Sequence, residues 1–283
     1  FFLTMKLAVL IFALVAGAIA AEMVLDDSMI SEINASGKWV AGRNARFEGM
    51  TRDDLRKSLG TFLVPGTLRE FPVRHRVAAE LPTEFDSRTQ WPGDIHPIRD
   101  QAQCGSCWSF GATEALSDRF AIKSNGSINV VLSPQNLVSC DNKDGNMGCN
   151  GGYPIRAWQY MEKSGVVTDE CYPYTSGQGV TGSCKLSGST CPSGSGSVRF
   201  YKAKSAYQVS SSEQAIQTEI MNNGPVEAAF TVYMDFMSYK SGVYRHVSGS
   251  VDGGHAVKII GWGVENGDKY WLVANSWNTS WGI

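Results

Sequence analysis

The stretch Gln101-Ala102-Gln103-Cys104-Gly105-Ser106-Cys107-Trp108-Ser109-Phe110 can deliver one free thiol to the first turn of a helix, and a thiol in that place is a nucleophile. Behind Cys107 the apolar residues Phe110, Ala112, Ala115, Leu116, Phe120 and Ile122 recur at helical spacing, and Asn125-Gly126 supplies a stop signal. The pattern predicts a helix that begins near Cys107. There the thiol feels the positive end of the helix dipole and unpaired backbone N–H groups, which favour the thiolate that nucleophilic catalysis needs.

A thiolate needs a partner that can take a proton and give it back, and imidazole suits both tasks near neutral pH. His246 and His255 follow Cys107 at comparable distances along the chain, so spacing does not separate them. Context favours His255. It follows Gly253-Gly254, which lets backbone and substrate come close, and it opens the alternating strand Ala256-Val257-Lys258-Ile259-Ile260. His246, within Val243-Tyr244-Arg245-His246-Val247, reads as a surface residue at a strand end. The strand from His255 runs to Asn266-Gly267, a two-residue hairpin signal, and returns as Lys269 to Asn275. An ideal register would set Asn275 opposite Lys258, so contact with His255 requires a bulge or wider turn, which Gly261 and Gly263 permit. An Asn275 amide oxygen accepting one imidazole N–H would turn the other ring nitrogen toward the thiol, and Trp277 could shield that bond from water.

Cys104-Gly105-Ser106-Cys107 also fits a redox dithiol or half of a zinc site. Both need companions. A redox pair of that type sits at the first strand–helix junction of a parallel-sheet domain, and zinc needs a second close pair of ligands. Cys140 and Cys149 are far apart, and His75, His96, His246 and His255 form no cluster, so no metal is expected. With 283 residues, 43% of them hydrophobic, and a net charge of -2, the chain can bury one large core or two smaller ones, and its balance gives no reason to expect nucleic acid.

Met5-Lys6, the uncharged run Leu7 to Ala21 and the small residues Ala18-Ile19-Ala20 read as a secretory signal peptide cleaved after Ala20, rather than as a membrane anchor, for which the run is short. Phe1 to Thr4 precede the first Met. Oxidising compartments pair an even set of cysteines and leave an odd one over, so of the 7 Cys six can pair. Connectivity stays open at this point, with Cys107 the candidate for the free thiol. There is no internal repeat, and the Ser- and Gly-rich stretch from Ser187 to Ser197 reads as a loop.

Taken together, Cys104-Gly105-Ser106-Cys107-Trp108, Gly148-Cys149-Asn150-Gly151-Gly152-Tyr153-Pro154, Gly253-Gly254-His255-Ala256 and Asn275-Ser276-Trp277 resemble the papain-like cysteine peptidases, and the separation of Cys107 from His255 belongs to that same signature. Leu81-Pro82-Thr83-Glu84-Phe85-Asp86, Ser117-Asp118-Arg119, Asn223-Gly224-Pro225-Val226-Glu227 and Tyr239-Lys240-Ser241-Gly242-Val243-Tyr244 point within that family to the cathepsin B type. The resemblance implies an α+β, two-lobed papain-like fold, with a helical lobe over about 91–195, an antiparallel, barrel-like sheet lobe over about 196–283, and the active site between them. It implies Cys107 as nucleophile, His255 as base and acid, Asn275 as the residue that orients His255, and Gln101 as an oxyanion donor beside the backbone N–H of Cys107. Read alone, Gln101 is a polar helix-entry residue facing solvent. Gly105, Gly151, Gly152 and Gly254 would line the path of an extended substrate, Pro154 and Ala256 would wall the pocket for the second residue before the scissile bond, and Trp277 would flank the site.

Aligned on these motifs, the pairs would be Cys104 with Cys149, Cys140 with Cys184, and Cys171 with Cys191. Gly93 or Asp94 with Ala121, and Asp141 with Gly145, stand where the cathepsin B pattern has further cysteines. Residues 21–80 would form a propeptide that lies across the cleft as an intramolecular inhibitor, leaving 81–283 as the peptidase domain. Between Cys171 and Cys184 the family's long occluding loop with its His pair is replaced by a short segment without His, so the expected activity is endopeptidase rather than dipeptide release. The match stops at Trp281-Gly282-Ile283, short of the family's further strands, so the expectation is a truncated C-terminal end, belonging either to a fragment or to a naturally short protein. Expected partners are protein or peptide substrates and cystatin-like inhibitors, acting on a monomer that needs no cofactor, in the lysosome or outside the cell. A catalytically silent homologue and a transpeptidase are the rival classes. Asn125 and Asn278 head glycosylation sequons, of which Asn125, just past a helix end, is the better placed.

Overall fold

The computed structural model describes residues 21–63 and 71–283. The signal-peptide reading over 1–20 lies outside the described residues, as does 64–70 of the expected propeptide. In chain order the elements are α1 (Asp27–Ser36), β1 (Val40–Ala41), α2 (Arg52–Ser58), β2 (Val73–Arg74), β3 (Phe85–Asp86), α3 (Ser87–Gln90), α4 (Cys107–Lys123), α5 (Pro134–Cys140) and α6 (Pro154–Lys163). They continue with β4 (Gln208–Val209), α7 (Glu213–Asn223), β5 (Val226–Tyr233), β6 (Tyr239–Ser241), β7 (Val251–Glu265) and β8 (Asp268–Ala274). Local chemistry starts most of the helices. The Asp26, Thr51, Ser133 and Ser212 side chains accept N–H groups of the first turns of α1, α2, α5 and α7.

The molecule has two lobes, with α4 between them. One face of α4 packs on α5 and α6, where Trp108, Ala112, Leu116, Leu132, Leu137, Ala157 and Met161 form the helical core. The opposite face lies against β7 and β5. A helix enclosed on both sides must satisfy its polar groups internally, and the Thr113 and Ser117 hydroxyls donate to the carbonyls of Ser109 and Thr113 at 2.7 and 2.6 Å. Lys258 of β7 reaches Asp118 of α4 at 2.6 Å with both side chains buried, which ties the lobes together.

The long strand β7 is the spine of an antiparallel sheet. β5 pairs with residues 251–259, β3 with Gly261 and Trp262, and β8 with 258–265. Gly261 is required there, since a Cβ would meet the Phe85 carbonyl oxygen at 2.0 Å. Three features differ from the reading of the sequence. A helix, α7, lies within the expected sheet lobe; Tyr201 and Ala203 belong to the helical lobe, where Tyr201 pairs with Val166; and β7 begins at Val251 rather than at His255. The N-terminal segment is not a loose appendage, because α1 and β1 bring Met29, Ile33 and Trp39 onto Met234, Tyr239 and Tyr244 of the sheet lobe.

Candidate active site

Cys107 is the first residue of α4 and is fully buried. Ser106, which precedes it, makes no side-chain cap; its hydroxyl instead meets the Tyr174 hydroxyl at 2.8 Å. The turn into the helix is held by the Cys104–Cys149 disulfide and by the Gly105 N–H donating to the Cys149 carbonyl at 3.1 Å. Gln101 is buried rather than facing solvent: its N–H donates to the Ser276 carbonyl at 2.9 Å, and its Oε1 accepts the Ser276 hydroxyl at 2.8 Å. That grip aims Nε2 into the cleft, and Ala102 beside it takes a left-handed backbone, φ 51°.

His255 and Asn275 meet across the hairpin. The register slips between Ile259 and Gly261, so that Ala274, and not Asn275, faces Lys258. This bulge carries Asn275 toward His255, whose Nε2–H donates to the Asn275 Oδ1 at 2.7 Å. The bond leaves His255 Nδ1 as the acceptor-bearing nitrogen, without a hydrogen-bond partner among the described residues. Trp277 lies against the ring, centroids 4.6 Å apart, and is itself buried. His246 is elsewhere, stacked on Tyr233 and 3.2 Å from Asp235.

A short piece of the N-terminal segment runs through the cleft. The Ser58 carbonyl accepts from Gln101 Nε2 at 2.9 Å, and Gly60 crosses Gly105 so closely that a Cβ on it would sit 1.7 Å from the Gly105 oxygen. Beyond it the Thr61 and Phe62 N–H groups donate to the carbonyls of Gly254 and Gly152 at 3.1 and 3.0 Å, and the Gly152 N–H returns a bond to Gly60 at 2.8 Å. Gly151, at φ 114°, and Gly254 leave room for Phe62 and Leu63. Thr61 sets its hydroxyl 3.0 Å from Cys107 Sγ.

Electrostatics follow from this cover. Burial pushes the Cys107 thiol up from its ordinary value, against the helix-start effect, and pushes His255 down to about 4, with the Asn275 hydrogen bond opposing. Near neutral pH both shifts favour the uncharged thiol and imidazole. Below the cleft, burial raises Glu114 to about 7 and Glu227 well above the carboxylate range, the latter taking one hydrogen bond from Trp158 Nε1 at 2.8 Å.

Of the other residues singled out, Pro154 opens α6 directly after Gly152-Tyr153, and Ala256 is buried in β7 opposite Ala229. Disulfides also join Cys140 with Cys184 and Cys171 with Cys191, and Cys107 is the free cysteine among the described residues. The Asp141 carboxylate accepts from Asn146 Nδ2 at 2.7 Å. Asn125 is exposed at φ 51°, and Asn278, the sequon expected to be the less well placed, is exposed too. Segment 172–183 folds back on the helical lobe, where Gln135 Nε2 and the Ser139 hydroxyl donate to the Thr181 carbonyl and Gln103 N–H donates to Gly177. Between Gln178-Gly179 and the N-terminal segment remains a cavity of about 730 Å³. The sequence reading missed Ser58, Gly60 and Thr61, since only tertiary folding brings them to the thiol. It also missed Ser276, although its place in Asn275-Ser276-Trp277 was a usable signal. No group of three His, Cys, Asp or Glu among the described residues is placed to hold a metal ion, and none of their helices is long and apolar enough to cross a membrane.

Comparison with known proteins agrees with this geometry. The family model for papain family cysteine protease matches residues 81–283. A cathepsin B-like cysteine proteinase of Schistosoma japonicum is 43% identical over 91% of this chain and 84% of its own length, and cathepsin B-like cysteine proteinase 4 of Caenorhabditis elegans is 45% identical over 78% and 74%. Among solved structures, procathepsin B S9 from Trypanosoma congolense superposes with a TM-score of 0.83 at 34% identity, covering 92% of this chain and 90% of that one. A free thiol at a helix start, an Asn-bound imidazole across the cleft, and these matches over the same residues place the chain in the papain family of cysteine proteases, among its cathepsin B-like members.

Proposed function

We propose that this chain is the zymogen of a cysteine endopeptidase. In the active form Cys107 Sγ gives its proton to His255 Nδ1 and attacks the scissile carbonyl; Asn275 holds the ring, and Gln101 Nε2 with the Cys107 N–H steadies the developing oxyanion. The imidazolium then protonates the departing amine, and water, deprotonated by the same ring, releases the acyl group from sulfur. The single observation that carries this reading is the segment from Ser58 to Phe62. It occupies the donors and strand partners that an extended substrate would use, directly over Cys107.

Residues 21–80 act as the propeptide in this reading, and 81–283 as the peptidase domain. Internal cleavage is favoured because segment 172–183 lies tucked against Gln135 and Ser139 and contains no His. The leader at 1–20 and the disulfides argue for the secretory pathway, ending in the lysosome or outside the cell. The acid-matured protein should take one epoxysuccinyl adduct by intact mass, lost in Cys107→Ser, and should cut a long model peptide at internal bonds. A folded protein that takes no adduct would be a silent homologue; a ladder of dipeptides from the C-terminus would overturn the endopeptidase assignment, and joined rather than hydrolysed peptides would mark a transpeptidase.

A further inference from the structure

The N-terminal segment buries a charge beside the reacting groups as well as covering them. Arg52 of α2 points Nε and Nη2 at Asp252 Oδ1, the first at 2.9 Å, and its Nη1 reaches the Glu22 carboxylate at 2.8 and 2.9 Å. The Asp252 side chain is 1% exposed, and its Oδ2 has no hydrogen-bond partner among the described residues. Asp252 lies in β7, three residues before His255. Both cations that pair with it, Arg52 and the more distant Arg56 at 3.5 Å, belong to the segment; the body of the protein supplies none among the described residues. A buried carboxylate without a cation is costly.

The position is as informative as the charge. Gly60 to Phe62 occupy the Gly152 and Gly254 side of Cys107, where residues before a scissile bond would pair, and Ser58 sits on the Gln101 amide. Arg52 therefore lies beyond the thiol, on the side from which a leaving group departs. That side has an apolar floor, on which Leu55 and Leu59 pack against Val232, Phe236, Met237 and Trp277, and Leu59 comes close enough to Gly253 that a Cβ there would meet it at 3.1 Å.

We infer that, once the segment is gone, Asp252 is a specificity-determining residue that selects substrates carrying an arginine or lysine just after the scissile bond, Arg52 being its built-in occupant in the zymogen. The inference rests on the peptidase reading above and names a substrate class for it. A basic side chain reaching Asp252 would lay its methylenes on the apolar floor and restore the lost ion pair, whereas an acidic one would face a like charge.

The test uses full-length protein, acid-matured and titrated with the epoxysuccinyl probe, on internally quenched peptides identical up to the scissile bond and carrying Arg, Lys, Leu or Glu at the first or second position after it. Wild type should show kcat/KM at least about tenfold higher for Arg than for Glu at one of these positions. In Asp252→Asn that ratio should fall to near one, and in Asp252→Lys it should invert. If the single variants do not fold, the Arg52→Gln, Asp252→Asn double variant removes both buried charges, and the same loss of ratio is expected in it. Equal rates for Arg and Glu in wild type, or a ratio unchanged in the variants, would overturn the assignment while leaving the peptidase reading intact. A wild-type protein that titrates no thiol and cuts no peptide would take both down.

Discussion

At the scale of single residues the site is a set of groups whose neighbours fix their orientation. Gln101 is gripped by Ser276 at both its N–H and its Oε1, so its amide is preorganised toward the cleft instead of being recruited during reaction. Gln101→Ala should lower kcat in the matured enzyme by on the order of 10²-fold, with rates normalised to titrated thiol. The same change removes the donor that holds the Ser58 carbonyl, so the unprocessed protein should label faster with the thiol probe than wild type does. Retained kcat in that variant would assign the oxyanion to backbone donors alone.

At the scale of elements the decisive one is the strand-like piece after α2. Its fit depends on Gly60, where any Cβ collides with the Gly105 carbonyl. Gly60→Ala should therefore push the piece out of the cleft and give substrate cleavage before the segment is removed, measurable in the unprocessed chain within minutes of purification. This piece also links the closed state to pH. In the cover His255 is held down to about 4, against about 6.5 for a solvated imidazole. The uncovered state thus binds the proton at higher pH than the covered one. The advantage of the covered state is whole above about pH 6.5 and is lost as pH falls toward 4. Hydrogen-exchange protection of the 60–62 amides in Cys107→Ser should drop through that window, and protection that stays level would detach His255 from the opening.

At the scale of the molecule the two lobes are joined by a buried ion pair, Lys258 with Asp118, to which His96 Nδ1 adds a contact at 2.7 Å. Removing one member strands a charge in the interior. Lys258→Ala in the inactive Cys107→Ser background should cost about 3–5 kcal/mol, read as a lower urea midpoint, whereas exchange of an exposed pair such as Arg245 with Asp268 should cost less than about 1 kcal/mol. Equal shifts for the two would mean that the lobes are held by apolar packing alone.

The sequence by itself determined much of the candidate site of this protein, because those signals are local. The period after Cys107 marks a helix and its start, and Asn266-Gly267 fixes a hairpin whose strands must return Asn275 near His255. The alternation from Ala256 to Ile260 sets a strand behind the imidazole. The helix α7 went unread, although Ser212 as its cap and Gly224 after its end were usable signals. Only the tertiary structure decided the rest. The one-residue slip at Ile259–Gly261 converts a near miss into the His255–Asn275 bond, and a bulge depends on how β3 and β8 share the two edges of β7. Likewise Thr61 at the thiol, and Arg52 against Asp252, join residues far apart in the chain. No periodicity records such meetings, because they are set by where whole lobes and segments pack.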